Sequence, residues 1–263
     1  MTSFYLRDRV ALVTGASRGI GQAIAIELGK AGASLALVSR NAAALAQVSA
    51  QIENDGGKCI CNAFDVSAED VLEAFIDRVG AELGGVDILV NNAGIYETSR
   101  FADQSLPSWR RLLEINITAA MRASKSVLPL MLEKQWGRII SISSISGKTG
   151  EPYGSAYSAS KFALIGMSQS LALEVAPFGI TVNAVCPGWV DTRMAAEQLH
   201  DEQWCNLNKI SVNDSLAIAK LSVPQNRLIE PEEVAGLVAY LCTDQARGIT
   251  GQAINICGGL SLH

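Results

Sequence analysis

Short apolar runs alternate with amphipathic segments along nearly the whole chain, and this alternation limits the possible folds most strongly. The apolar runs predict strands at residues 9–14, 34–38, 58–63, 86–91, 138–143, 180–186 and 252–256. The amphipathic segments predict helices at residues 19–31, 41–54, 67–83 (with Ser67 as N-cap), 107–134, 156–176 and from 231 onward. Continuously apolar strands fit a parallel sheet that is covered on both faces. The sequence therefore predicts a single-domain α/β fold over residues 1–263, a doubly wound parallel sheet of about seven strands with helices on both faces.

Composition and charge exclude several classes of function. The net charge is -5 and no Lys/Arg-rich run occurs, so nucleic acid is not an expected partner. No run of about 18 apolar residues is present, so no membrane span is expected. Residues 1–9 include Arg7, Asp8 and Arg9 and lack the apolar region of a signal peptide, so we expect a cytoplasmic protein.

The cysteines and histidines argue against a metal centre. Six cysteines in a chain without a signal peptide are expected to be free and mostly buried thiols. Cys59 and Cys61 lie two apart in a predicted strand, which is not the spacing of a ligand pair. Only His200 and His263 could supply an imidazole, so a zinc-dependent or Ser-His-Asp mechanism is not expected. We expect no metal.

A glycine-rich turn follows the first predicted strand. Gly15, Gly19 and Gly21 stand between that strand and the next helix, where glycines let the backbone approach a pyrophosphate at a helix N-terminus. The spacing is GxxxGxG rather than GxGxxG, and a plain tight turn is the alternative interpretation. The position directly after the first strand favours a nucleotide site.

The end of the second strand indicates which nucleotide is bound. An NAD site usually has a carboxylate there, but this chain has Ser39-Arg40, with Arg18 in the glycine turn. A guanidinium pairs well with a phosphate. The sequence therefore favours NADP(H) over NAD, unless Arg40 only solvates the start of a helix.

Two residues on one predicted helix could carry acid-base chemistry. Tyr157 and Lys161 are four residues apart, so they point the same way, one turn from each other. A nearby cation is expected to lower the pKa of a phenol, whose reference value is about 10. Ser144 ends another predicted strand, at the sheet edge where α/β proteins bind ligands, and residues 91–94 and 187–192 end two more. A helix surface and ordinary turns are the alternatives.

Taken together, these motifs resemble the short-chain dehydrogenase/reductase family, over about residues 7–260. The matches are TGASRGIG (14–21), Asp65-Val66, NNAG (91–94), Asn116, Ser144, YSASK (157–161), Asn183 and PGWVDT (187–192). The resemblance implies a Rossmann-type domain and the catalytic residues Asn116, Ser144, Tyr157 and Lys161. The cofactor-binding residues that it implies are Gly15, Ser17, Arg18, Gly19, Ile20, Gly21, Ser39, Arg40, Asp65, Val66, Asn92, Ala93, Gly94, Tyr157, Lys161, Pro187, Gly188, Val190 and Thr192.

The resemblance also implies a role for each catalytic residue. Tyr157 would donate the proton in reduction, Ser144 would polarise the carbonyl oxygen, and Lys161 would hold the nicotinamide ribose. Asn116 would bend its helix and hold a water in a proton relay with Lys161. The implied reaction is NADPH-dependent reduction of a ketone to a secondary alcohol.

The substrate is less constrained. Residues 191–227 are expected to form a substrate lid, and Trp189, Met194 and Trp204, with Ser144 and Tyr157, are the predicted substrate contacts. The stretch 147–161 and the ending 257–260 most resemble ketoreductases of 3-oxoacyl thioesters. The open alternatives are a reductase or secondary alcohol dehydrogenase for free ketones, an NAD-linked dehydrogenase running oxidatively, and a binding protein without catalysis.

Two partner predictions rest on the same resemblance. An acidic carrier protein that delivers the thioester would need basic residues near the pocket mouth, for which the candidates are Arg100, Arg110, Arg111, Arg122 and Lys125. A homotetramer is expected, with interfaces formed by the helices at 107–134 and 156–176 and by the last helix and strand.

Overall fold

The computed structural model of the protein describes residues 5–68 and 70–263. Its strands are β1 (Val10–Thr14), β2 (Ser34–Ser39), β3 (Cys59–Ala63), β4 (Ile88–Asn91), β5 (Gly137–Ile142), β6 (Ile180–Pro187) and β7 (Ala253–Ile256). Its α-helices are α1 (Gly19–Lys30), α2 (Ala42–Asn54), α3 (Val71–Leu83), α4 (Leu106–Leu113), α5 (Ala119–Lys134), α6 (Ser155–Val175), α7 (Arg193–Leu199), α8 (Glu202–Asn208), α9 (Val212–Ser222) and α10 (Pro231–Leu241).

The strands form one parallel sheet in the order β3-β2-β1-β4-β5-β6-β7. The chain runs outward from β1 to β3, returns to the middle of the sheet at β4, and then runs outward the other way. The direction of winding therefore reverses between β1 and β4, and crevices for ligands open at the carboxyl edge of such a reversal. This sheet confirms the predicted doubly wound α/β fold.

Both faces of the sheet are covered, which explains the continuously apolar strands. On β1, Ala11 and Val13 pack into one core with α1, α2 and α10, whereas Val10 and Leu12 pack into a second core with α3, α5 and α6. Successive strand residues point to opposite faces, so a strand buried on both faces needs an apolar side chain at every position.

The start of α3 corrects one prediction. Helix α3 begins at Val71, after Asp70 in a left-handed conformation with a φ of 65°. Ser67 lies before this helix and donates a hydrogen bond from its hydroxyl to the Asp65 carboxylate at 2.7 Å. The prediction that Ser67 is the N-cap is therefore wrong, because the helix begins four residues later and the Ser67 hydroxyl is bonded to Asp65, which precedes it.

The long predicted helix at 107–134 is interrupted once. Helix α4 begins at Leu106 with Ser105 as its cap, and a π-helical turn over Glu114–Thr118 joins α4 to α5. Asn116 is buried in this widened turn. A π-helical turn thus lies at Asn116, where the family resemblance implied a bend, and it separates two segments that the sequence pattern joins.

Residues 191–227 contain three short helices, α7, α8 and α9, of 7, 7 and 11 residues. Leu199 of α7 and Ala219 of α9 form a small separate core with Leu228, and Trp189 and Trp204 pack against it. The helices are too short to repeat an amphipathic pattern, which explains the weak periodicity of this segment in the sequence.

Three further observations concern membrane spans, disulfides and metal sites. In the described ranges, no helix has both the length and the apolar character that crossing a membrane requires. The six cysteines are free thiols, and Cys186, Cys205, Cys242 and Cys257 are buried. A search of the described residues finds no group of three His, Cys, Asp or Glu side chains that could hold a metal ion.

Candidate active site

A cleft of about 730 Å³ opens at the carboxyl edge of the sheet, beside the neighbouring strands β1 and β4, where the direction of winding reverses. All the residues expected to bind a cofactor line it. Of the four expected catalytic residues, Ser144, Tyr157 and Lys161 also line it, and Asn116 lines a small adjoining cavity. The fold thus brings together residues from loops that are far apart in the sequence.

The glycine turn after β1 leaves no room for side chains. A Cβ atom on Gly21 would overlap the Gly15 carbonyl oxygen and the Asn92 amide. That amide donates hydrogen bonds to the carbonyl oxygens of Thr14, at 2.8 Å, and Gly15, at 3.2 Å. Gly15 has a φ of 67°, in the region that favours glycine. The turn and the loop after β4 therefore form one rigid backbone wall.

The N-terminus of α1 faces this wall. Arg18 is its N-cap residue and makes no side-chain capping bond, so no side chain caps the backbone N–H groups of the first turn there. Uncapped N–H groups at a helix N-terminus form a site for an anion such as a pyrophosphate. The backbone donors, the closely packed backbone and the cleft volume of about 730 Å³ fit a dinucleotide.

Two arginines lie at the outer end of this site. The side chain of Arg40, 56% exposed, is 3.8 Å from the Asp65 carboxylate, the distance of a weak ion pair. Arg18 is also exposed and lines the cleft. Burial alone would raise the pKa of Asp65, but two hydrogen bonds from Ser67 and the charges of Arg40 and Arg111 hold it below its usual value. Asp65 is therefore a stable anion next to Arg40.

The residues that the sequence predicts as catalytic are held by hydrogen bonds around the end of β5 and α6. The Ser143 hydroxyl donates to the Lys161 carbonyl oxygen at 2.9 Å, and the Lys161 ammonium donates to the Ile142 carbonyl oxygen at 2.8 Å. The Lys161 ammonium lies 5.5 Å from the centre of the Tyr157 ring. The Ser144 hydroxyl oxygen accepts a hydrogen bond from the Ser146 backbone at 3.0 Å. Strand and helix thus fix Ser144, Tyr157 and Lys161 relative to one another.

Burial controls the ionisation of these groups. It lowers the pKa of Lys161 to about 8. It raises the pKa of Tyr157, the negative charge of Glu151 raises it further, and the hydrogen bond with Ser144 opposes this shift. The expected lowering of the Tyr157 pKa is not found in this structure, because desolvation of the phenolate is the largest cause and shifts the pKa upward.

Asn116 links the loop after β4 to α6. Its side-chain oxygen accepts from the Ile95 backbone N–H at 2.8 Å. Its amide nitrogen donates to the Ile95 carbonyl oxygen and to the Ser160 hydroxyl, both at 3.0 Å. A Cβ atom on Gly94 would lie 3.4 Å from the Asn116 side-chain oxygen and 3.5 Å from the Lys161 ammonium. Asn116 and Lys161 therefore flank the same glycine.

The loop after β6 closes the cleft on the other side. The Gly188 backbone N–H donates to the Ile256 carbonyl oxygen at 3.1 Å, and Val190 forms a bridge with Ile229. Thr192 caps α7 by accepting a hydrogen bond from the Ala195 backbone. The methyl group of Thr192 would lie 3.2 Å from a Cβ atom on Gly19. Residues 187–192 thus lie against the glycine turn, so the cleft is narrow here.

The predicted substrate contacts are only partly brought together. Trp189 and Met194 line the cleft with Ser144 and Tyr157. Trp204 is not among the lining residues, and its ring packs edge-on against Trp189 with 6.0 Å between ring centres. The prediction that Trp204 contacts the substrate directly is therefore corrected: its ring packs against Trp189, which itself lines the cleft.

The predicted carrier-facing cations also need a correction. Arg122 is mostly buried and is paired with Glu73 at 3.0 Å and Glu114 at 3.5 Å. Its guanidinium also donates to the Ala68 carbonyl oxygen at 2.7 Å. Because these bonds hold it against α3, Arg122 is not at the mouth of the cleft. The other four candidates are exposed, but none lines the cleft.

Sequence reasoning missed several residues that line the substrate end. They are Ile95, Tyr96, Ile145, Ser146, Glu151, Ala195 and Gln198, and Arg193 lies at the rim. Glu151 could have been found from its position between Ser144 and Tyr157, since the loop joining these two must pass over the site. No motif spacing indicates Tyr96.

Comparisons with known proteins agree with this geometry. Residues 9–203 match the model of the short chain dehydrogenase family. A putative ketoacyl reductase of Streptomyces coelicolor is 40% identical over 260 residues, covering 96% of this chain and 97% of that protein. A 3-oxoacyl-acyl-carrier-protein reductase of Vibrio cholerae is 39% identical, covering 97% of this chain and 98% of that protein.

A solved structure shares the whole fold. It is a variant of actinorhodin polyketide ketoreductase crystallised with NADPH, with a TM-score of 0.92 and 39% sequence identity. The match covers 97% of this chain and 98% of that one. The family predicted from the motifs is thereby confirmed: the chain belongs to the short-chain dehydrogenase/reductase family.

Proposed function

We propose that the protein reduces a ketone to a secondary alcohol with NADPH. The observation that carries this proposal is the meeting of Ser144, Tyr157 and Lys161 in the same cleft as the glycine turn and the uncapped N-terminus of α1. A nicotinamide dinucleotide bound along the cleft would supply the hydride for the carbonyl carbon. The relatives named as ketoacyl reductases support this direction of the reaction.

The side chains have distinct parts in this reaction. The Ser144 hydroxyl donates a hydrogen bond to the carbonyl oxygen, which becomes an alkoxide in the transition state. The Tyr157 hydroxyl gives its proton to that oxygen. The raised pKa of Tyr157 keeps the phenol protonated at neutral pH, which suits a proton donor. Lys161 and Asn116, which flank Gly94, would hold the cofactor ribose and a water that returns the proton.

The choice of NADPH over NADH rests on the outer end of the site. β2 ends in Ser39 and is followed by Arg40, so no carboxylate stands there to accept a ribose hydroxyl. The ion pair of Arg40 with Asp65 is long, at 3.8 Å, which leaves the guanidinium able to pair with a 2′-phosphate. The same observation disfavours an NAD-linked dehydrogenase running oxidatively.

For the substrate, we propose a 3-oxoacyl thioester. The similarity to ketoacyl reductases over nearly the whole chain supports it. Trp189 and Met194 add apolar surface for an acyl chain, and we propose residues 191–227 as the lid above it. A reductase for free ketones is the alternative, since the same three catalytic side chains would serve it.

A ketone panel tests the proposal. NADPH oxidation is followed at the nicotinamide absorbance with an acetoacetyl thioester, an ethyl 3-oxoester, an aryl ketone and a bicyclic ketone, each repeated with NADH. Preferred turnover of the thioester with NADPH is the expected result. Turnover of free ketones alone would move the substrate to the alternative, and a preference for NADH would contradict the role of Arg40.

We also propose a carrier-bound substrate and a homotetramer. The exposed cations Arg100, Arg110, Arg111 and Lys125 would meet an acidic carrier, so a carrier-bound thioester should outcompete the free one.

For the homotetramer, exposed apolar side chains on α5 and α6 (Met121, Phe162 and Leu173) support the pairing of these helices between subunits. Sedimentation analysis tests the assembly, and a monomer at assay concentration would contradict it.

A further inference from the structure

A carboxylate that the proposed reaction does not use lies at the substrate end of the cleft. Glu151 is in the loop between β5 and α6 and lines the same cavity as Ser144 and Tyr157. One of its oxygens, Oε2, accepts a hydrogen bond from the Ser146 hydroxyl at 2.6 Å. The Ser146 backbone N–H in turn donates to the Ser144 hydroxyl oxygen at 3.0 Å. Glu151 is therefore linked through Ser146, by two hydrogen bonds, to the Ser144 hydroxyl, which is expected to hold the substrate carbonyl.

The other carboxylate oxygen, Oε1, is buried and has no hydrogen-bond partner. The hydroxyl of Tyr96 lies between this carboxylate and the Thr98 hydroxyl, but neither of these hydroxyls completes a well-aligned hydrogen bond. The Tyr96 ring packs edge-on against Tyr157, with 5.1 Å between ring centres. Two polar groups near Tyr157, the Oε1 atom of Glu151 and the Tyr96 hydroxyl, thus have unused bonding capacity, and buried polar groups are normally paired.

The charge of Glu151 is also uncompensated. None of the salt bridges found in the described ranges includes it. Burial raises the pKa of Glu151, and the hydrogen bond from Ser146 opposes that shift by favouring the anion. A partly buried anion without a cation is costly, so a donor that enters the cleft would be bound favourably.

We propose that Glu151 is a specificity-determining residue that accepts a hydrogen bond from a donor group on the substrate, a hydroxyl or a protonated amine, close to the reacting carbonyl. This inference rests on the proposed ketone reduction and adds a substrate class to it. A carboxylate of the substrate in the same position would be repelled. An apolar group there would leave the Oε1 atom of Glu151 and the Tyr96 hydroxyl without partners, which a hydrogen-bonding site disfavours.

Matched ketones separate the two donor groups. 4-Hydroxybutan-2-one is compared with pentan-2-one, in which a methyl group replaces the hydroxyl. Protonated 4-(dimethylamino)butan-2-one is compared with 5-methylhexan-2-one, in which carbon replaces the nitrogen. For each pair, the ratio of kcat/KM values with NADPH measures the preference for the donor. The expected result for the wild type is a ratio of about ten or more for at least one pair.

The variants Glu151→Gln and Glu151→Leu identify the origin of that preference. The amide keeps an acceptor oxygen, so Glu151→Gln should lower an amine ratio about tenfold and a hydroxyl ratio by less. Glu151→Leu should bring both ratios close to one. Each ratio compares two ketones in the same variant, so a general change in turnover cancels. Glu97→Gln is the matched control, because Glu97 is an exposed carboxylate near the same cleft, bonded to Ser108, that does not line the cleft.

The outcomes distinguish this inference from the proposed function. Wild-type ratios near one for both pairs, or ratios that Glu151→Gln and Glu151→Leu leave unchanged, would overturn the inference while ketone reduction stands. If the leucine variant does not fold, the glutamine variant decides, since it keeps the size of the side chain. Absence of turnover of all four ketones and of the thioester would instead contradict the proposed function, and this inference with it.

Discussion

The two ends of the cleft are built from different materials. At the nucleotide end, backbone atoms and absent side chains form the site: Gly15 and Gly21 leave room, and the Asn92 amide ties two loops together. At the substrate end, buried polar side chains form it, among them Tyr96, Glu151 and Tyr157. A site made of backbone tolerates no added atoms, whereas a site made of side chains can change its chemistry by single substitutions.

Replacing Tyr157, the proposed proton donor, should have the largest effect and should change the substrate end alone. Tyr157→Phe removes one hydroxyl and leaves the glycine turn untouched. We expect kcat to fall about 10²- to 10⁴-fold, because general acid catalysis contributes about this much. NADPH affinity, measured by titration of cofactor fluorescence, should change less than about threefold. A large loss of affinity would show that the two ends are not independent.

The converse change should affect the nucleotide end. In Gly21→Ala the added methyl group overlaps the Gly15 carbonyl oxygen and the Asn92 amide. Overpacking typically costs about 1–3 kcal/mol, so NADPH affinity should fall about ten- to hundredfold. The control is Gly80→Ala in α3, where a Cβ atom meets no neighbour and should stabilise the helix by about 0.5–1 kcal/mol. Unchanged affinity in Gly21→Ala would contradict the rigid wall.

The buried ammonium of Lys161 gives a prediction about stability and pH. Its pKa is lowered to about 8 in the folded protein, whereas an unfolded lysine keeps about 10.5. Between these values the unfolded chain binds more protons, so the free energy of unfolding should rise with pH. Relative to Lys161→Met, the wild type should gain about 3 kcal/mol from pH 7 to pH 11. Denaturant unfolding measures the difference, and a constant difference would contradict the burial of a charged Lys161.

Arg40 provides the smallest expected effect. A hydrogen bond to a charged group contributes about 1.5–3 kcal/mol. Because Arg40 is 56% exposed, the lower end of this range applies, and Arg40→Ala should lower the NADPH-to-NADH ratio of kcat/KM about tenfold. Arg78→Ala is a suitable control, because Arg78 is an exposed arginine on α3 that pairs with Glu82 and does not line the cleft. An equal loss of NADPH and NADH turnover in Arg40→Ala would exclude recognition of the 2′-phosphate.

The contrast between the two ends also explains what the sequence could predict. The glycine turn, Asn92 and the pair Tyr157–Lys161 are identified because backbone geometry and one helical turn fix their spacing. The sheet follows from continuously apolar strands. The interruption of the helix at Asn116 could be predicted only from the family resemblance, because the residues on either side of it continue a helical pattern.

The remaining features depend on contacts between distant residues. Trp204 is apolar whether it touches a substrate or supports Trp189. Arg122 is basic whether it meets a carrier or pairs with Glu73 and Glu114. The direction of the Tyr157 pKa depends on burial and on Glu151, which no spacing rule indicates. Sequence patterns reveal local geometry, but desolvation and pairing appear only when the chain is folded.

The most direct test of the account is the fate of the transferred hydride. NADPH carrying deuterium at both C4 positions of the nicotinamide is incubated with the wild type and an acetoacetyl thioester, and the product is analysed by mass spectrometry. The account predicts an alcohol with one deuterium on the former carbonyl carbon. NADPH consumption without deuterium in the alcohol would contradict it.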